Sequence, residues 1–136
     1  MKKSIIIALI ILILAIFFIL IFSKNNNFSK ACIKSYCFNL ELAKTPGERE
    51  KGLMYLPYLE KDAGMLFIFG EESLYPFWMK NTLMPLDIIW INSSKEIVYI
   101  ANNASPCKEQ CFSINPNESA LYVLEINANL SKQYGF

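Results

Sequence analysis

The sequence predicts a mainly β domain, a compact antiparallel sandwich or barrel with one short capped helix, preceded by a single transmembrane helix. Three observations predict it. The chain opens on an unbroken apolar run, six short strand-like segments with turn signals follow, and strands do not alternate with long helices. At 136 residues the chain holds one domain and not two full-sized ones.

Lys2, Lys3 and Ser4 precede eighteen consecutive apolar residues, Ile5 to Phe22. A helix rising about 1.5 Å per residue needs about 20 residues to cross a ~30 Å hydrocarbon core, which residues 4–23 just supply. A cleavage site wants a small residue where bulky Ile21 stands, so residues 1–23 read as an uncleaved signal-anchor. Residues 24–34 then form a polar linker and residues 35–136 the β domain. Lysine placement alone favours a cytoplasmic domain, because Lys24, Lys30 and Lys34 follow the run and only Lys2 and Lys3 precede it. Cysteines and glycosylation acceptors outweigh that count. The expected location is the cytoplasmic membrane, single-pass, with the domain facing outside.

The cysteines fall into two close pairs, Cys32 with Cys37 and Cys107 with Cys111. Proximity favours local disulfides, although four cysteines allow three connectivities, and a four-thiolate zinc site and free thiols are the competing readings. Asn27, Asn92, Asn103, Asn117 and Asn129 each begin an Asn-x-Ser acceptor site and are glycosylation candidates. The alternative is that Asn and Ser co-occur in turns.

Composition removes several functions. The chain has no histidine, which excludes Ser-His-Asp and Cys-His triads and His-ligated zinc hydrolysis. Without Lys2 and Lys3, the 13 Lys+Arg fall to 11 against 12 Asp+Glu. That neutral balance offers no footprint for nucleic acid, and the expected partners are the membrane, through residues 4–23, and an unknown small ligand or envelope protein. No cofactor and no bound metal are expected, with the four-thiolate zinc site kept as the competing reading of the cysteines.

The strand candidates are 35–42, 64–69, 75–80, 86–92, 96–101 and 120–127, with Ser93-Ser94-Lys95 as a hairpin turn. Thr45-Pro46-Gly47-Glu48 reads as a capping box opening a helix through about Met54, and 128–134 as a short terminal helix or turn.

Chemistry is densest from Phe77 to Asp87. Lys80, Asn81 and Asp87 are the catalytic candidates, and Trp78, Lys80, Asn81, Thr82 and Asp87 the ligand-binding candidates. In an extended segment Trp78 and Lys80 share one face while Met79 and Asn81 take the other. The functional reading is a polar-floored pocket under an aromatic wall. The bland reading makes Trp78 and Met79 core, gives Asn81 and Thr82 the turn, and pairs Lys80 with Asp87. Arg49 with Glu41 is expected as an ion pair joining helix to strand. Met54, Met65, Met79 and Met84 suit a copper site by softness but core filling by context.

The stretches 41–59 (ELAKTPGEREKGLMYLPYL), 64–69 (GMLFIF), 77–91 (FWMKNTLMPLDIIWI) and 122–128 (YVLEINA) resemble, in order and spacing, the "domain of unknown function 192" family. The resemblance runs from about Cys37 to Phe136. It implies a mainly β fold, sandwich or jelly-roll-like, and the Cys107–Cys111 segment resembles a paired-cysteine loop of exported members. The family supplies no established activity, so no catalytic residue carries over. The expectation is therefore a non-catalytic binding or accessory module of the cell envelope. The alternative is an envelope hydrolase or transferase using Trp78–Asp87.

Overall fold

The computed structural model describes residues 11–14, 16 and 28–136. Its body is one six-stranded sheet in the order β1-β2-β3-β6-β4-β5. The strands are β1 (Phe28–Ile33), β2 (Tyr36–Ala43), β3 (Ala63–Ser73), β4 (Leu86–Ile91), β5 (Ile97–Ala104) and β6 (Ala120–Asn127). Two short helices accompany them, α1 (Pro46–Lys51) and α2 (Leu130–Tyr134).

Local chemistry explains the connections. β1 and β2 form a hairpin in which Cys32 faces Cys37, and a disulfide joins the two. Thr45 caps α1 by accepting from the Glu48 amide, while the Glu48 carboxylate accepts from the amides of Thr45 and Lys44, each at 2.8 Å. Those bonds hold Glu48 below the usual carboxylate range. Gly52 stops the helix with a φ of +48°. The segment 44–62 brings β3 back parallel to β2, as a crossover allows and a tight turn does not. β4 and β5 form the second hairpin, closed by Asn92 and Glu96 through paired backbone and side-chain bonds.

Both faces of the sheet are buried. On one, Met65, Phe67, Ile88, Trp90 and Val123 pack under Leu53, Met79 and the loops around them. On the other, Phe38, Leu40, Ile89, Leu124 and Ile126 pack under Leu130, Tyr134 and Phe136. This explains why β4 reads LDIIWI with no solvent-facing alternation: a strand covered on both sides has none. Gly64 lets β3 approach its neighbours, since a Cβ there would lie 2.6 Å from the Glu125 carbonyl oxygen.

Several expectations are corrected. The sandwich or jelly roll is replaced by a single mixed sheet, because its faces are covered by loops and α2 instead of by a second sheet. The expected transmembrane helix is not supported: among the described residues no helix is long and apolar enough to cross a membrane. Residues 11–14 and 16 are helical, and the rest of the proposed anchor at 4–23 lies outside the described residues. The membrane partner, the outward-facing single-pass location and both envelope functions depended on that helix and are set aside with it.

The segment 75–80 is not a strand of the sheet; it makes only isolated bridges, Phe77 to Ile114 and Lys80 to Cys107. β1 instead arises within the expected polar linker. Arg49 does not reach for Glu41; it donates to the carbonyls of Lys44 and Ile68 and lies 5.0 Å over the Phe69 ring. Met65 and Met79 are buried core residues.

Candidate functional site

The segment Phe77–Lys80 is an extended strap laid across the loop-covered face, and it ends in a turn in which the Thr82 amide donates to the Met79 carbonyl. Phe77 anchors it, exchanging backbone bonds with Ile114 and meeting Phe67 and Trp90 edge-on at 4.8 and 5.6 Å. Cys107 donates to the Met79 carbonyl and accepts from the Asn81 amide at 2.8 Å, so the loop closed by the Cys107–Cys111 disulfide grips the strap from one side. From the other side the Tyr55 amide donates to the Asn81 carbonyl, and the Asn81 amide side chain donates to the Tyr55 hydroxyl at 2.8 Å. Asn81 has a φ of +56°, a conformation that Asn tolerates better than most residues.

The alternation of the strap sorts its side chains. Met79 is buried, while Trp78 is 42% exposed and the Lys80 ammonium lies 4.9 Å from its ring centroid. Together with α1, the strap borders a hollow of about 350 Å³ lined by Gly47, Glu50, Lys51, Met54, Trp78, Lys80 and Asn81. Below it lies a cavity of about 30 Å³, roughly the room of one water, which shares Glu50, Lys51, Met54, Trp78 and Lys80 with the hollow.

Thr82 and Glu125 also line that cavity, and both are buried. Glu125 comes from the middle of β6, opposite Met65 of β3 and Ile88 of β4. Its Oε2 has no hydrogen-bond partner, and burial pushes its pKa up to about 8. A carboxyl with that pKa is mostly protonated at neutral pH. Arg49, Lys51 and Lys80 against Glu50 leave the cavity rim net positive.

Asp87 lies elsewhere. It is fully buried on the opposite face, where Oδ1 accepts from the amides of Asn103 and Asn129, and Oδ2 from the amide and hydroxyl of Ser131. It therefore fastens the start of α2 to the β4–β5 hairpin and does not pair with Lys80. Of the residues singled out from the sequence, the structure brings Trp78, Lys80, Asn81 and Thr82 together and separates Asp87 from them. Glu125 was missed, although a lone acid inside the apolar run of β6 (ALYVLEIN) is a readable signal.

All four cysteines are in disulfides. Among the described residues no group of three or more His, Cys, Asp or Glu is placed to hold a metal. Of the acceptor asparagines, Asn92 spends its side chain on Glu96, Asn103 sits at positive φ within β5 where its pairing with β4 is irregular, Asn129 sits at positive φ in a turn, Asn117 is exposed, and Asn27 lies outside the described residues.

Fold and site together define a small mixed-sheet domain with an unpaired acid beneath a strap-bordered hollow. The chain belongs to the DUF192 family ("Uncharacterized ACR"), whose model matches residues 29–136. It is similar to the solved structure of a candidate transcription regulator from Sinorhizobium meliloti 1021, with 42% identity and a TM-score of 0.70 over 79% of this chain and 82% of that one. A protein of unknown function from Novosphingobium aromaticivorans DSM 12444 is similar at 31% identity and a TM-score of 0.68, over 79% of this chain and 87% of that one. No curated protein matches the chain.

Proposed function

We propose that this domain binds a small hydrogen-bonding ligand in the hollow between α1 and the Trp78–Asn81 strap. The observation that carries the reading is the half-exposed indole of Trp78 with the Lys80 ammonium over it, bordering a hollow of about 350 Å³. An aromatic wall with a few convergent polar groups is the usual make-up of a small-ligand site. Asn81 serves as the hinge pin of the strap, and Lys80 supplies charge to the ligand.

The test is a fragment screen read by backbone amide shifts and by tryptophan fluorescence. Trp90 is fully buried, so a ligand in the hollow quenches only the exposed component from Trp78. Binding that maps to residues 78–81 and weakens at least tenfold in Trp78→Ala and Lys80→Ala is the expected result. A screen in which no compound shifts those residues refutes the reading.

The expectation of no role with nucleic acid, drawn from net charge, is corrected by the transcription-regulator name of the relative at 42% identity. A whole-chain charge averages over faces, and the cavity rim alone gathers Arg49, Lys51 and Lys80. That name supports a second reading in which the domain is the ligand-responsive part of a regulator. Titration with duplex DNA at low and physiological salt tests it. Absence of binding at both salts, with and without a ligand found in the screen, removes it.

A further inference from the structure

The geometry points to Glu125 as a proton-donating subsite at the floor of the hollow, which selects ligands carrying a carboxylate-like oxyanion. This inference rests on the hollow being the ligand site. Three observations converge on it. The Glu125 side chain is 5% exposed with Oε2 unpartnered, and it lines a cavity with room for about one oxygen atom and its hydrogens. Thr82 sits in the same cavity with a hydroxyl that donates or accepts. The charged groups facing the cavity are Arg49, Glu50 and Lys51 from α1 and Lys80 from the strap, whereas β3 and β4 present apolar residues there.

The chemistry then decides between ligand classes. An ionised Glu125 would repel an anion and attract a cation, but three cations at the rim against one acid disfavour a cationic guest. In its acid form Glu125 carries one O–H, and an O–H bond to an oxyanion is charge-assisted and about twice as strong as a neutral one. Lys80 and Lys51 balance the anion's charge from above. No bond is made or broken; the proton stays shared between the Glu125 carboxyl and the bound oxygen. Above the pKa of about 8, binding an anion of constant charge requires Glu125 to take up one proton.

Acetate is the probe, because its own charge does not change between pH 6 and 9.5. Its affinity for the full chain is measured from the Trp78 and Lys80 shifts across that range, alongside the carboxyl ¹³C titration of Glu125 with and without acetate. We expect affinity to be level below about pH 8 and to fall about tenfold per unit well above it, and the Glu125 pKa to rise with acetate. Glu125→Gln, which keeps a donor but cannot ionise, should bind with no such fall. Acetate shifts at Trp78 and Lys80 that do not vary with pH in the wild type overturn the acid subsite and leave the hollow as a ligand site. No acetate shifts at any pH overturn the subsite as well, and the fragment screen then judges the hollow independently.

Discussion

Two acidic side chains are buried in adjacent strands of this sheet, and they occupy opposite situations. Asp87 of β4 lies on the face covered by α2 and accepts four hydrogen bonds, three of them from backbone amides. Glu125 of β6, one register step away on the face covered by the strap, has an unpartnered oxygen. A buried polar group stabilises a fold only when it is satisfied, and an unsatisfied one costs the fold its desolvation. The first acid is therefore architecture. The second is a cost the fold carries, and such costs gather where ligands are handled.

The largest expected effect is at Asp87. Asp87→Ala leaves three backbone donors without their acceptor and detaches α2, which should cost about 4 kcal/mol by urea denaturation. A loss below about 1 kcal/mol would erase the distinction between the two acids. Gly64→Ala probes the sheet that both faces share. Its Cβ would press on the Glu125 carbonyl and the Leu40 and Ile126 side chains, for a loss of about 2 kcal/mol.

Glu125 should show itself through pH. Its pKa is raised in the folded chain from 4.5 to about 8, so between these values the folded state holds a proton that the unfolded state has released. Stability thus falls as pH rises through that window, by at most about 1.4 kcal/mol per unit, and levels off above it. Glu125→Gln should flatten this slope; an identical slope in the variant would assign it to other groups. The smallest effect is at the start of α1. Thr45→Ala removes one half of the α1 capping box and should cost about 1 kcal/mol without altering either buried acid. A Glu125 titration that moved in this variant would mean that α1 controls the cavity.

Much of this was legible in advance. The capping box at Thr45, the apolar runs of β4 and β6 and the Ser93–Lys95 turn are local signals, and they appear where the sequence puts them. Non-local facts were hidden. The parallel pairing of β2 with β3 depends on where 44–62 crosses, and β1 reads as a polar tether because only one neighbour stabilises it. The strap reads as a strand because it is rich in aromatic residues, yet Pro76 and its position over the sheet leave it two bridges. The site was half legible for the same reason. Asp87 looked functional because it follows Lys80 by seven positions, but a change of face separates them. Glu125, forty-five positions from Lys80, reaches the same cavity through the sheet.

The strand order also bears on the birth of the molecule. β6 lies between β3 and β4, and no other pairing among the described strands joins β1-β2-β3 to β4-β5. Until β6 is free of the ribosome, the emerging chain can hold only two half-sheets whose open edges carry Phe67 and Trp90. At about 5–20 residues per second that interval is brief, but any pause there prolongs the exposure of sticky edges. The strand that bears the unpaired acid is also the zipper that closes the nascent chain, so the costliest residue in the core arrives with the step that makes the core.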